Sequence, residues 1–474
     1  MSYIEQLHLI EANKSKLADV ATVLNHFSEF RNVDSELVAK LLTTFNSEAL
    51  LGTRFTYDDK VKFNFILEWI SPAKIASFIL ENYKQSSIFQ QSFKINRSTG
   101  CYAPYMALNF AQNGSVGVCC YTSRGKDSRN EGGYLGSYPE SNIKEIWTGK
   151  RMQRLRSSLD FFGFKISDAC SSCIKRIQRG DSANSLLTKF DNKLNFMFEK
   201  FRSNVDPRKQ LSDTDPSTNI TNFYRSKTYP LLLEFELSNI CNYECIMCGG
   251  DYSSMVRKNV EKRPPLISPY DSKFVEQLEE FIPHAEEFDF LGGEPFLVPV
   301  YYEIWDKIIK LNPAATVNIT TNGSILNDKV KEIFNKIPNL NITVSLDSVN
   351  PDTYAFIRRN GKLQKVLNNI EFFINNSRKV GISVCPMIQN IYEMHDIVQF
   401  CINKKLNLYF NEVVGTLKTN SKNEHYNLPE VALSTVTSEE KEKIIKYLCS
   451  KSYATVSPVH HVAFNGLIEN IINS

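Results

Sequence analysis

The chain has no marked excess of charge of either sign. Its 55 lysines and arginines almost balance its 52 aspartates and glutamates, which gives a formal net charge of +3. The basic residues form no polybasic block. Binding to nucleic acid or to an anionic membrane surface usually depends on clustered positive charge, so neither is expected as the main function of this chain.

The amino terminus lacks a long hydrophobic run. Residues 1–17 carry acidic residues early and contain no uninterrupted apolar stretch. A signal peptide or a membrane span needs such a stretch, so neither is predicted here. The expected location is therefore the cytoplasm.

Cysteine, in contrast, is well represented, with 11 residues in a chain of 474. In a reducing compartment, metal binding or redox chemistry is favoured over disulfide formation. The length and the 42% hydrophobic content allow more than one hydrophobic core, which predicts two or three domains.

Three of the cysteines stand close together at Cys-x3-Cys-x2-Cys spacing. Cys241, Cys245 and Cys248 follow directly after an apolar segment at 231–237 that has the pattern of a strand. One loop can thus present three thiolates, which can hold three irons of a cubane cluster and leave the fourth iron without a protein ligand. An iron with a vacant position is reactive, as in other open catalytic metal sites.

Strand-like and helix-like segments alternate after residue 228, which predicts a parallel sheet with helices outside it. The predicted strands span 231–238, 287–291, 316–321, 341–346, 381–388 and 407–414. The predicted helices span 272–282, 298–311, 326–336, 363–378, 392–404 and 438–450.

Polar and glycine-rich motifs follow the predicted strands at the points where these end. A Gly-Gly-Glu-Pro sequence at 292–295 follows the second strand, a Thr-Thr-Asn-Gly sequence at 320–323 the third, and a Ser-Leu-Asp sequence at 345–347 the fourth. Ligand sites of parallel βα folds form at the carboxyl edge of the sheet. The motifs and the cysteine loop are therefore expected to converge on one rim.

A second group of cysteines lies in a Gly- and aromatic-rich segment at 96–180. A terminal Cys-x2-Cys pair brings two sulfurs onto one turn, and a distant pair can complete a closed four-sulfur site. Spacing alone does not separate an iron-sulfur cluster from a zinc site when all ligands are sulfur. The candidates are Cys101, Cys119, Cys170 and Cys173, with Cys120 as a spare.

In its cysteine triplet and the phased motifs that follow, the stretch 228–414 resembles the radical S-adenosylmethionine (radical SAM) enzymes. The resemblance implies an incomplete (β/α)6 barrel of the TIM type. Residues 96–180 resemble the SPASM or shortened "twitch" extension of these enzymes, which holds an auxiliary 4Fe–4S cluster and whose hairpin cysteine matches Cys119. That extension usually follows the barrel, whereas here it precedes it. The predicted division is a helical domain at 1–95, this small α+β domain at 96–180, a linker at 181–224 and the barrel at 225–474.

The resemblance also implies roles for residues of the rim. The Gly-Gly-Glu motif would bind the amine of SAM, and Ser345 would contact its carboxylate or ribose. Arg358, or the adjacent Arg359, would pair with the carboxylate. Asn322 is expected near the ribose of SAM, and Met247 is expected near its adenine. The expected SAM-binding residues are Gly292, Gly293, Glu294, Asn322, Ser345, Arg358 and Met247.

The implied activity is reductive cleavage of SAM at the 4Fe–4S cluster of Cys241, Cys245 and Cys248, followed by hydrogen abstraction from a substrate. The SPASM-like segment indicates a peptide or protein side chain as that substrate, in an oxidoreductase or peptide-modifying type of enzyme. The electron would come from a donor such as flavodoxin or ferredoxin. Two alternatives remain open: a radical SAM enzyme acting on a sugar or cofactor precursor, and a non-enzymatic iron-sulfur or zinc scaffold.

The remaining cysteines and the histidine pair near the end have no metal-like spacing. Cys385, Cys401 and Cys449 are interpreted as small buried hydrophobic residues. Adjacent side chains on a strand point to opposite faces, so the pair at 460–461 is left out of the site.

Overall fold

The computed structural model describes residues 101–123, 134–153, 227–411, 436–453 and 457–473, with residues 155, 156, 173, 186, 190, 193, 413 and 433. The predicted helical domain at 1–95 and most of the predicted linker lie outside the described residues.

A single mixed sheet of nine strands organises the described part of the chain, in the order β3-β2-β1-β4-β5-β6-β7-β8-β9. From β1 through β4 to β9 each neighbouring pair is parallel, and β2 and β3 add antiparallel pairs at one edge. The strands are β1 (Ala107–Phe110), β2 (Ser115–Gly117), β3 (Gly136–Ser137), β4 (Leu232–Phe235), β5 (Glu287–Phe290), β6 (Thr316–Thr321), β7 (Leu340–Ser345), β8 (Lys379–Val384) and β9 (Asn407–Phe410).

Helices connect the parallel strands, as expected for a right-handed βα architecture. The described α-helices are α1 (Ala103–Met106), α2 (Cys120–Ser123), α3 (Ile143–Thr148), α4 (Ser272–Leu278), α5 (Pro299–Leu311), α6 (Asp328–Lys336), α7 (Pro351–Ile357), α8 (Leu363–Asn376), α9 (Met394–Lys404), α10 (Ser438–Leu448) and α11 (Pro458–Asn473). The predicted α/β class is confirmed, and the six predicted strands and six predicted helices all occur, with shorter bounds at several ends.

The two faces of the parallel sheet differ in polarity because side chains alternate along a strand. In β6, Val317 and Ile319 are buried, while Asn318 and Thr320 on the opposite face are partly exposed. Asparagine side chains start several of the covering helices. Asn327 accepts a hydrogen bond from the backbone of Val330 at the start of α6, and Asn350 caps α7.

The sheet continues across the predicted boundary between the cysteine-rich segment and the barrel. Strand β1 pairs in parallel with β4, so that Asn109 lies beside Glu234. In α3, Ile143, Ile146 and Trp147 are buried, and the indole of Trp147 donates to the carbonyl of Thr228 at 2.7 Å. The division into domains stays a prediction, but the two segments share one sheet and one core in the described residues.

The structure differs from several sequence-based expectations. The pair His460 and His461 lies on helix α11 rather than on a strand, and the ring of His460 is bonded to Ser457 and to the carbonyl of Leu406. Cys449 is exposed rather than buried. Helix α7 was not predicted, because its seven residues fall within a motif-bearing loop. Cys401 is buried, as predicted.

Among the described residues, no helix combines the length and the apolar character that crossing a membrane requires.

Candidate active site

The cysteine loop follows β4 and is held by its own backbone and by a nearby serine. Cys248 donates its backbone N–H to the carbonyl of Cys245 at 3.0 Å, which closes a tight turn. The Ser254 hydroxyl accepts from the N–H of Cys241 at 3.1 Å and donates to its carbonyl at 3.2 Å. Cys241, Cys245 and Cys248 are free thiols and partly exposed.

The surroundings of the loop hold these thiols in their protonated form. Burial raises the pKa of Cys241 to about 12, and it raises the pKa of Cys245 and of Cys248 as well. The guanidinium of Arg358 works in the opposite direction on all three. Iron binds thiolates, so loading this loop requires the release of protons.

The loop fits an iron-sulfur cluster by its donor set and its spacing. All three donors are soft sulfurs on one short loop, and the charge of Cys245 raises the pKa of both Cys241 and Cys248. Within the described ranges, no three His, Cys, Asp or Glu side chains converge on a single ion. Three cysteines that each hold a different iron of one cluster do not converge on a single point either.

The glycine pair after β5 packs directly against the cysteine loop. Gly292 and Gly293 have φ values of +78° and +52°, which favour glycine. A Cβ atom on Gly293 would lie 2.2 Å from the carbonyl oxygen of Ile240. The same carbonyl accepts the backbone N–H of Glu294 at 2.7 Å. The motif therefore lies beside the cysteines, as the sequence predicted.

The Glu294 side chain is fully buried and faces the loop after β6. Its carboxylate accepts 2.7 Å hydrogen bonds from the Thr321 hydroxyl and the Asn322 backbone N–H. Desolvation raises the pKa of Glu294 to about 7, although these hydrogen bonds act against the shift. Asn322 in turn donates to Asn242 at 2.9 Å, with its amide nitrogen 4.0 Å from the Cys241 sulfur.

The other predicted SAM-binding residues lie on the same rim. Ser345 is the last residue of β7 and is partly exposed. Met247 packs against a small apolar cluster of Ile246, Ile357 and Met387. Arg358 is buried, forms a 2.8 Å ion pair with Asp347 and lies with Nη1 3.8 Å from the Cys245 sulfur.

The cysteines of the second predicted site are only partly described. Cys119 lies two residues after the end of β2, and Thr122 caps the turn by accepting the N–H of Val118 and of Cys119. Cys101, Cys119, Cys120 and Cys173 are partly exposed. Cys170 lies outside the described residues, so this site stays a prediction.

Two rim residues were given no role from the sequence. Asp347 is completely buried, and Cys385, interpreted as a core residue, is instead partly exposed at the end of β8. The Cys385 backbone N–H donates to the Asp347 carboxylate at 2.7 Å. The signal for Asp347 was present, because an acidic residue at the end of a buried strand needs a partner.

A cavity of about 770 Å³ lies along the polar face of the sheet. Across five neighbouring strands, one register row contains Asn109, Glu234, Asp289, Asn318 and Asn341. Asn318 donates to Asp289 at 2.6 Å and accepts from Asn341 at 2.8 Å. Lys193 forms ion pairs with Glu287 and Asp289 in the same cavity.

Comparison with known proteins places both cysteine groups in described families. The family model of the radical SAM superfamily matches residues 235–401, and that of an iron-sulfur cluster-binding (SPASM) domain matches residues 101–174. A probable GTP 3′,8-cyclase of Methanocaldococcus jannaschii is 29% identical over 220 residues, or 46% of this chain and 68% of that protein. A GTP 3′,8-cyclase of Clostridium perfringens is 34% identical over 125 residues, but this covers 26% of this chain and only 38% of that protein.

Among solved structures, Streptococcus suis SuiB bound to S-adenosylmethionine is similar, with 16% identity and a TM-score of 0.36 over 58% of this chain and 60% of that one. A radical SAM domain takes a 4Fe–4S cluster and SAM, and a SPASM domain takes an auxiliary iron-sulfur cluster. The chain contains a radical SAM domain at residues 235–401, and a SPASM domain at residues 101–174 precedes it in the sequence.

Proposed function

We propose that this protein is a radical SAM enzyme in which Cys241, Cys245 and Cys248 hold the 4Fe–4S cluster and the neighbouring rim binds SAM. The observation that carries the proposal is the packing of the Gly-Gly-Glu motif onto the cysteine loop, with Asn322 joined to both. The cluster held by these cysteines, with SAM bound beside it, would supply the radical chemistry that removes a hydrogen atom from the substrate.

The residues of the chain would prepare this site in several ways. The glycine pair lets backbone approach the methionyl group closely, while Glu294 holds the Asn322 loop in position. Ser345 would contact the carboxylate or ribose of SAM from the end of β7. Met247 and its apolar neighbours would pack against the adenine and exclude water from that side.

Iron analysis after anaerobic reconstitution tests the cluster assignment. With one 4Fe–4S cluster at each cysteine group, we expect about eight irons per chain in the wild type. The triple variant Cys241→Ala/Cys245→Ala/Cys248→Ala should retain about four, and so should Cys101→Ala/Cys119→Ala/Cys173→Ala. Only the first variant should lose 5′-deoxyadenosine formation with dithionite because of the missing SAM-binding cluster. Zinc alone in the wild type, or no 5′-deoxyadenosine from it, would support the scaffold alternative.

We further propose a peptide or protein side chain as the substrate, which the presence of a SPASM domain supports. The charged residues that line the cavity favour neither substrate class. Two of its lining residues, Glu287 and Asp289, are carboxylates, and the ammonium group of Lys193 is already paired with them. Lys379 lines the cavity as well, so two lysines offset the two carboxylates.

A small-molecule substrate is the second candidate because the similar proteins named above are GTP 3′,8-cyclases. One assay distinguishes a peptide substrate from a small-molecule substrate. The reconstituted protein is incubated with SAM, dithionite and GTP, and 5′-deoxyadenosine is compared with the GTP-free rate. A cyclised nucleotide product would support the second candidate. Modified residues found by mass spectrometry in a peptide that co-purifies with the protein would support the first.

A further inference from the structure

The segment after helix α7 runs alongside the cysteine loop. The backbone N–H of Ile246 donates to the carbonyl of Ile357 at 3.0 Å, and the N–H of Glu244 donates to the carbonyl of Arg359 at 3.1 Å. Cys245 and Arg358 lie between these two hydrogen bonds and face each other. The distance from Nη1 of Arg358 to the Cys245 sulfur is 3.8 Å.

The guanidinium is held in this place from its other side. Nη2 of Arg358 lies 2.8 Å from Oδ2 of Asp347, and the two side chains are 8% and 0% exposed. Asp347 is itself fixed, because its Oδ1 accepts the N–H of Cys385 at 2.7 Å and its carbonyl accepts the Asn390 side chain at 2.8 Å. The arginine therefore has little freedom to turn away from the sulfur.

A fixed cation beside a cluster ligand affects the electron balance of the cluster. Reduction adds one electron to the cluster, here from a donor such as dithionite, and no atom is transferred. Positive charge close by favours the more negative, reduced state, and poor access to solvent strengthens this effect. Asp347 offsets part of that charge while it orients the guanidinium.

We propose that Arg358, positioned by Asp347, raises the reduction potential of the cluster held by Cys241, Cys245 and Cys248. The inference rests on the proposed function, since it needs a cluster in this loop. It assigns Arg358 a different principal partner from the SAM carboxylate expected from the sequence. The Nε atom of Arg358 is buried and has no hydrogen-bond partner. If Arg358 contacted SAM, this N–H would be the donor, and the contact would compete with the role of Arg358 beside the cluster.

An anaerobic redox titration of the reconstituted full chain, monitored by electron paramagnetic resonance without SAM, measures this potential. The relevant signal is the one that the triple variant at positions 241, 245 and 248 lacks. Arg358→Gln should shift the potential to more negative values, and Asp347→Asn should shift it to less negative values. Arg358→Lys keeps the charge and should stay nearer the wild type. Arg378→Gln removes one positive charge at an exposed position just before β8, at the end of the strand opposite the rim; it is the matched control and should leave the potential unchanged.

Potential shifts of opposite sign in Arg358→Gln and Asp347→Asn would indicate an electrostatic effect. A general disturbance of the loop would shift both potentials in the same direction. Shifts of the same sign, or no shift, in Arg358→Gln and Asp347→Asn would overturn the proposal. If Arg358→Gln fails to load iron, Arg358→Lys and Asp347→Asn carry the test. A loss of SAM affinity in Arg358→Gln with an unchanged potential would also overturn it.

Different results would contradict the proposed function and the role of Arg358. If the wild type forms no 5′-deoxyadenosine, or the triple variant keeps all its iron, the proposed function fails. If iron content and 5′-deoxyadenosine are as expected while the potentials do not shift, only the role of Arg358 and Asp347 fails.

Discussion

Glu294, in the loop after β5, accepts a 2.7 Å hydrogen bond from the backbone N–H of Asn322, in the loop after β6. A buried carboxylate thus joins two neighbouring loops of the rim. The second of these loops reaches Asn242 in the cysteine loop. The geometry of the candidate site therefore depends on polar contacts between loops as well as on the strands that carry them.

This buried carboxylate predicts a pH-dependent contribution to stability. Burial raises the pKa of Glu294 from 4.5 to about 7. Folding therefore favours the protonated form, so this contribution is full below pH 4.5, is lost as the pH rises to about 7, and then stays constant. The total change is about 3 kcal/mol.

The measurement is the melting temperature of the wild type and of Glu294→Gln at a series of pH values. Relative to Glu294→Gln, the wild type should lose stability between about pH 5 and pH 7, with no further loss above that range. Glu303→Gln, at an exposed position, controls for the loss of one carboxylate. A difference between wild type and Glu294→Gln that is the same at every pH would contradict the prediction.

Gly293→Ala should displace the cysteine loop. The added Cβ would lie 2.2 Å from the Ile240 carbonyl oxygen, and the left-handed backbone at φ +52° costs a further 1–2 kcal/mol or so for alanine. We expect less iron per chain after identical reconstitution. Gly136→Ala is the control, because its Cβ would lie 3.0 Å from a side-chain carbon of Ile146 rather than 2.2 Å from a backbone carbonyl oxygen. Full iron loading of Gly293→Ala would show that the loop tolerates the shift.

Tyr301→Phe should destabilise the ends of β4 and β5. The Tyr301 hydroxyl accepts the N–H of Leu237 at 3.0 Å and lies 2.6 Å from the carbonyl oxygen of Leu291. Its removal leaves a buried N–H without a partner, which costs about 1–3 kcal/mol. Thermal unfolding of the apo protein measures the loss.

Tyr229→Phe is the matched variant for this test, because the Tyr229 hydroxyl bonds to the exposed Glu280. It should change the stability by less than about 0.5 kcal/mol. Equal effects of the two variants would mean that the Tyr301 hydroxyl contributes no more than a surface hydrogen bond.

Local patterns in the sequence were sufficient to predict the strands and helices of the sheet and the positions of the motifs. The alternation in Thr316–Thr321 and the spacing of the three cysteines are properties of neighbouring residues, so they can be recognised without a fold. The convergence of the motifs on one rim also followed, because parallel strands place their carboxyl ends along one edge. The family expected from these motifs is confirmed.

Contacts between distant residues were decided only by the tertiary structure. The pairing of β1 with β4 joins positions about 125 residues apart, and the partner of Cys245 proved to be Arg358, which is held by Asp347. Cys385 and the histidine pair were misplaced for the same reason. The sequence by itself determined which residues could form a strand, a turn or a ligand set, since these depend on neighbours in the chain. The packing of loops in three dimensions decided which charges and hydrogen-bonding groups meet, because a buried polar group is costly unless it is paired.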